Sequence, residues 1–236
     1  MPGHKIPEIS IVIPVYNEEK ILGHEVNEIL RHMRKKRTHF EIILCENGSQ
    51  DRTPEIARRI SLKNPEIRVI HLDRPDYGKA LKVGFLSAKG RYLFNFSMDF
   101  YDFGFLERAL ILLKEFDIVA GSKQLDKSDK RPILRRVISM GFYLIFRYVF
   151  GCKTMDTHGI KGFRREKIMG LVKRCKSARA LFDTELILRA EKSGLRIKEI
   201  PVEIVEKRPA RLSTIKQVIR AAFDMVSLKI ILENER

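Results

Sequence analysis

The chain has 236 residues, 44% of them hydrophobic and 32% charged, and carries a formal net charge of +16. That length and apolar content can bury one sizeable core, and one main domain is expected. Cys45, Cys152 and Cys175 are widely spaced, odd in number and form no C-x-x-C pair, so neither a disulfide framework nor a structural zinc site is signalled, which fits a reducing cytoplasm. No leader is expected, because Met1 to Glu8 is short and polar and the next apolar run is broken by Pro14. The longest apolar stretch, Val137 to Phe150, is interrupted by Ser139, Gly141 and Arg147 and falls short of the roughly 20 residues that span a bilayer, so no transmembrane helix is expected. The positive charge suits nucleic acid, anionic lipid headgroups or phosphorylated substrates, and equally a solvated surface. Zinc-finger spacing, an aromatic-rich RNA-reading signature and a purely basic tail are all missing, so nucleic acid is not expected as a partner.

In chain order, short β-branched runs alternate with helical patterns. Strands are expected at Ile9–Val15, Phe40–Cys45, Ile67–Leu72, Tyr92–Met98 and Asp117–Ser122, and helices near Glu18–Arg37, Pro54–Lys63, Lys79–Ala88 and Phe105–Phe116. Thr53 is expected to cap the second helix, with Pro54 at the first helical position, where its missing amide hydrogen is not needed. This alternation predicts an α/β fold with a mostly parallel sheet covered on both faces. From Ile133 to Phe150 a largely apolar helix aligns Arg136, Ser139, Tyr143 and Arg147 on one face. It either lies in a membrane surface, with residues such as Phe142 and Phe146 toward lipid, or is a core helix with an exposed polar stripe. Arg196–Glu206 reads as a late strand with Glu199 and Glu203 facing solvent. Ile215, Val218, Ile219, Ala222, Phe223, Val226 and Ile230 predict a last amphipathic helix, which divides the chain into a main body, residues 1–212, and a C-terminal helix, residues 213–236.

The loops after the strands carry the candidate chemistry. They read Pro14-Val15-Tyr16-Asn17-Glu18-Glu19, then Glu46-Asn47-Gly48-Ser49-Gln50-Asp51, then Asp76-Tyr77-Gly78-Lys79, then Asp99-Phe100-Tyr101-Asp102. Turn chemistry explains any one of them, but four at one edge of a parallel sheet point to a binding edge. In the third loop a Gly lets the backbone approach a phosphate, the helix start offers free N–H groups, and Lys79 adds a charge.

With these motifs in this order, the sequence resembles the inverting nucleotide-sugar glycosyltransferases with a Rossmann-like α/β fold of the GT-A type, and within them the dolichyl-phosphate mannose and glucose synthases. The resemblance extends over about residues 8 to 213. It implies that Pro14, Tyr16, Asn17, Glu18, Glu46 and Asn47 serve base and ribose, and Gly78 and Lys79 the diphosphate, with Asp51 and Thr53 structural. Asp99 takes the first place of the family's D-x-D metal motif, which implies Mg2+ or Mn2+. The second place is Tyr101, so either Asp102 completes the site or Asp99 works with water and phosphate oxygens. Gly121-Ser122-Lys123 resembles the Gly-Ser-Arg of the lipid-phosphate synthases. Lys123, Arg136 and Ser139 are implied on the acceptor phosphate, and Arg208 and Arg211 in a cationic loop against donor or acceptor. Asp156 to Arg164 resembles the family's D-T-x-x-G-x-K-x-F-R stretch, with His158 a structural loop residue, and Phe182 to Leu186 resembles its F-D-x-E-L helix.

A hydroxyl acceptor needs a general base, whereas a phosphate monoester, with a second pKa of about 6, is already anionic near neutral pH. The expected reaction is in-line, inverting transfer from a UDP- or GDP-sugar to a polyprenyl phosphate such as dolichyl phosphate. The enzyme is expected in the cytoplasm, peripheral on the inner face of the membrane, with an anionic surface and a separate small membrane subunit as candidate partners. Two other readings stay open: transfer to a saccharide or protein hydroxyl with Asp183 as base, and a nucleotide-sugar-binding subunit without turnover.

Overall fold

Alternating apolar residues of the first strand divide the core in two. A computed structural model describes residues 6–36, 38–122, 133–157, 159–177, 181–202, 225 and 227–232, the side chains of 133–139 and 142 excepted. Its strands are β1 (Ile9–Val15), β2 (Phe40–Asn47), β3 (Ile67–Leu72), β4 (Tyr92–Asn95), β5 (Ile118–Ser122), β6 (Lys161–Arg164) and β7 (Ile197–Pro201). They form one sheet in the order β3-β2-β1-β4-β6-β5-β7, in which β6 runs antiparallel to both neighbours and the other pairings are parallel. The helices are α1 (Leu22–Lys35), α2 (Thr53–Lys63), α3 (Tyr77–Ser87), α4 (Phe103–Leu112), α5 (Ile133–Phe150), α6 (Arg165–Arg174) and α7 (Leu181–Lys192).

Ile9, Ile11, Ile13 and Val15 pack with residues of α1, α2 and α4, while Val12 joins residues of α3, α6 and α7 on the opposite face. The expected two-sided α/β sheet is therefore present, each face closed by helices that bury apolar stripes. Pro14 sits in β1 beyond Val12, the last residue paired with β4, where no ladder hydrogen bond needs its missing N–H. Gly162 of β6 admits the neighbouring ring, since a Cβ there would lie 2.7 Å from Phe94.

Several expectations change. β4 ends at Asn95 rather than Met98, because Ser97 and Phe100 exchange backbone hydrogen bonds of 3.1 and 3.2 Å and curl the chain into a tight turn. Thr53 does not cap α2; its hydroxyl accepts the Glu18 N–H at 2.7 Å instead. Glu199 does not face solvent, because it accepts N–H bonds from Met155 and Asp156, and burial raises its carboxyl above the ordinary range. All three cysteines are free and buried. Residues 227–232 are helical, with Leu228 and Leu232 packed into the α3, α6 and α7 layer, while Ile230, expected on the apolar stripe, is exposed.

Candidate active site

The strand order reverses between β1 and β4, and a crevice at such a switch point, outside the carboxyl ends of the strands, is where open α/β sheets bind ligands. The loop after β1 stands on one side of it and the Ser97–Phe100 turn on the other. Asn17, with φ of 54°, turns the first loop back in the left-handed region that Asn tolerates. It is tied to the loop after β2, since its N–H donates to Ser49 Oγ at 3.0 Å and its Oδ1 accepts from Gln50 N at 2.9 Å. Asp51 and Thr53 extend the seam, accepting N–H bonds from Glu19 and Glu18, which is the structural role expected for them. Tyr16, which precedes Asn17, stays 40% exposed.

Glu46 and Asn47 look inward. Glu46, expected to accept a bond from a base, is fully buried; its Oε1 accepts Ser49 N at 2.7 Å and its Oε2 contacts His71 Nδ1. Asn47 Oδ1 accepts Asp76 N at 2.8 Å and joins the second loop to the third. Gly48, at φ of +69°, lies so close to the Arg74 backbone that a Cβ would meet it at 3.1 Å. The three loops form one prefolded unit. At the start of α3, Asp76 caps the helix by accepting Lys79 N at 2.9 Å, which uses one of the N–H groups that a helix start leaves over. Gly78 is buried, and the exposed Lys79 side chain is left as the cation at the rim.

Asp99 projects from the tip of the turn after β4, exposed, with Ser97 Oγ donating to its Oδ1 at 2.5 Å. Tyr101, in the second acidic place of the motif, turns the other way. Its hydroxyl donates to Glu25 of α1, and its ring packs against Phe96 and Phe103. Asp102 caps α4, accepting Phe105 N at 2.9 Å, with Arg108 4.0 Å from its other oxygen, so it serves the helix before any metal. Among the described residues no group of three His, Cys, Asp or Glu side chains could hold a metal. A single exposed carboxylate still suits a magnesium-like cation, which keeps several waters and takes the rest of its shell from substrate phosphates.

Behind the turn lies a polar ring missed by the sequence reading. Lys161 is fully buried; its backbone N–H donates to Asn95 Oδ1 at 2.6 Å and its ammonium to Gly159 O at 2.7 Å. The ammonium also pairs with Asp183 Oδ1 at 3.8 Å, and Tyr77 OH donates to Asp183 Oδ2 at 3.1 Å. Asn95 bonds the same hydroxyl, and burial first, then the Asp183 charge, pushes the Tyr77 phenol well above its ordinary value. Asp183, held as a candidate base, is 1% exposed. The signal available in the sequence was a lysine between Ile160 and Phe163, a charge in an apolar strand that needs a buried partner.

On α5, Met140, Leu144, Ile145, Tyr148 and Val149 are exposed, whereas Phe146, expected toward lipid, is 4% exposed and packs in the core. Arg147 donates to Tyr143 OH at 2.9 Å, so these two share a face as the spacing predicts. No helix among the described residues is long and apolar enough to cross a membrane. Lys123, His158, Glu203, Arg208 and Arg211 and the side chains of Arg136, Ser139 and Phe142 lie outside the described residues.

Comparison with known proteins matches residues 10–171 to the family described as glycosyl transferase family 2. The glycosyltransferase AglD of Haloferax volcanii is 30% identical over 90% of this chain, which spans 35% of that protein's length. A dolichyl-phosphate beta-glucosyltransferase of Drosophila melanogaster is 30% identical, with 87% of this chain and 69% of that one covered. Glucosyl-3-phosphoglycerate synthase from Mycobacterium tuberculosis, solved with Mn2+, UDP-glucose and phosphoglyceric acid, superposes with a TM-score of 0.66 at 17% identity, over 97% of this chain and 85% of that one. With the family model matching most of its sheet and the GT-A architecture around it, the chain belongs to glycosyl transferase family 2.

Proposed function

We propose that this chain transfers a hexose from a nucleoside-diphosphate sugar, UDP- or GDP-linked, to a polyprenyl phosphate such as dolichyl phosphate, with inversion at the anomeric carbon. The observation that carries the reading is the meeting of a prefolded three-loop unit and the Asp99 turn at the sheet's switch point, in a chain 30% identical to a dolichyl-phosphate beta-glucosyltransferase. Tyr16 stacks on the base, Asn17 and Glu18 line the ribose side, and Lys79 meets the diphosphate. Asp99 would hold Mg2+ or Mn2+ together with water and diphosphate oxygens. When bound, such a cation stabilises the charge that develops on the leaving nucleotide.

Asp183 bears on the choice of acceptor. A carboxylate sealed from solvent, paired with a buried ammonium and hydrogen-bonded by a phenol is badly placed to take a proton from an incoming hydroxyl. A phosphate monoester needs no such base, and cations matter more to it than proton transfer. Lys123, Arg136 and Ser139 serve the acceptor phosphate, and Arg208 and Arg211 the phosphates of either substrate. Asp183 becomes a positioning residue that holds the start of α3 through Tyr77. The lipid tail stays in the bilayer, so the exposed apolar residues of α5 rest on an anionic surface with Arg147 among the headgroups. The enzyme works from the cytoplasm, peripheral on the inner face, and a small membrane subunit supplies any firmer anchor. Incubation with labelled UDP- and GDP-sugars, polyprenyl phosphate and Mg2+ or Mn2+, followed by organic extraction, tests the reading. Label in the lipid phase is expected, and none with any donor would refute it.

A further inference from the structure

We propose that the cleft between the start of α3 and the end of α6 is a second anion site, shaped for a phosphate- or pyrophosphate-bearing group. Binding there needs no transfer activity, and the cleft shares only Lys79 with the donor site proposed above. The cleft has a volume of about 470 Å³, within the range of ligand pockets. Lys79, Lys82, Lys173, Arg174 and Lys176 line it, and the one carboxylate among its lining residues, Asp76, is already engaged in capping α3. Five cations face one occupied acid.

The topology explains why they meet. Because β6 runs antiparallel, α6 starts at the far edge of the sheet and returns, so its last turn reaches the first two turns of α3. Basic residues at a helix C-terminus often serve only to neutralise its carbonyls. Here Lys82 does that work, donating to Lys173 O at 3.3 Å and to Cys175 O at 2.6 Å. The side chains of Lys173 and Arg174 are exposed beyond it. The loop that follows is fixed from below, since the fully buried Glu185 accepts the N–H groups of Lys176 and Ser177. The backbone under Lys176 and Ser177 is therefore held, and binding has mainly the side chains of the cations to order.

The lining also selects the ligand. Among the described residues no aromatic side chain lines the cleft to stack a base, in contrast to the exposed Tyr16 of the donor loops. Ammonium groups act as point charges that suit multiply charged phosphates. Lys79 belongs to both sites, so a phosphate held here sits beside the donor diphosphate.

Calorimetric titration of the full chain with inorganic pyrophosphate, with UDP or GDP in excess to fill the donor crevice, tests the proposal. Lys173→Gln with Arg174→Gln is expected to weaken pyrophosphate binding about tenfold or more, the loss expected from removing two charge-assisted contacts. Lys63→Gln with Lys114→Gln removes two exposed lysines elsewhere and is expected to leave the affinity unchanged. Circular dichroism checks that both variants remain folded. No binding by the parent, unchanged binding by the first variant, or equal weakening in both would overturn the site. Vesicles of phosphatidic acid in phosphatidylcholine identify the source of the phosphate: weaker partition of the first variant assigns a lipid headgroup, and unchanged partition with lost pyrophosphate binding assigns a soluble phosphate.

Discussion

Lys161 Nζ stands 3.8 Å from Asp183 Oδ1, and solvent reaches neither side chain. Removing one member of such a pair strands a buried charge, which costs about 3–5 kcal/mol, whereas replacing both with apolar residues of similar volume is often neutral. Lys161→Met and Asp183→Asn are each expected to lose stability in urea unfolding, and Lys161→Met with Asp183→Leu to recover most of it. Lys161→Met with the stability of the parent would remove the pair from the account.

Asp99 and Asp102 should separate cleanly. Asp99→Asn is expected to lose nearly all transfer and its Mn2+ affinity in the presence of a nucleoside diphosphate, an effect of several kcal/mol on the reaction. Asp102→Ala is expected to lose about 1 kcal/mol of folding stability, the usual cost of removing a helix cap, with Mn2+ affinity close to that of the parent. An Asp99→Asn enzyme with full activity would contradict the assignment.

Glu46 is expected to act through the loop it holds. Glu46→Ala deprives Ser49 N of its acceptor and should weaken nucleoside diphosphate binding while lowering the melting temperature. Glu46→Gln keeps an acceptor oxygen and should retain most of both. Calorimetry with equal losses in the two variants would mean that the carboxylate charge itself meets the ligand.

The apolar residues of α5 make a surface prediction. Leu144→Glu with Tyr148→Glu should reduce sedimentation with anionic liposomes and leave the circular dichroism spectrum intact, since both side chains are exposed. Added salt should weaken binding by the parent. Phe146→Glu should unfold the protein, because it places a charge in the core. Liposome binding that survives the double substitution would move the membrane contact elsewhere.

Much of this was legible in the sequence for local reasons. β1 to β3 and β5 carry dense β-branched residues bounded by turn residues, and the loops that follow β1 to β4 fall where the pattern puts them. The tip of β4 was not legible, because the Ser97–Phe100 turn is closed by backbone bonds that no side-chain pattern records. β6 was missed as well, since Lys161 to Arg164 is too short to alternate and is held only by strands distant in sequence. The inward turn of Tyr101 and the burial of Phe146 rather than Leu144 follow from tertiary packing, which chooses among equally apolar faces. Glu46 shows the same limit in a loop: an acid at a binding edge can serve a ligand or the loop itself, and only its partners distinguish the two.

In the proposed reaction the acceptor is a phosphate already anionic at neutral pH, so that no protein base is needed. Polyprenyl phosphate and the free polyprenol of the same chain length, each offered with a labelled nucleotide sugar and Mn2+ at pH 7, separate the possibilities directly. Label is expected in the organic phase with the phosphate and none with the alcohol. Equal labelling of both, or labelling of the alcohol alone, would contradict the proposed reaction.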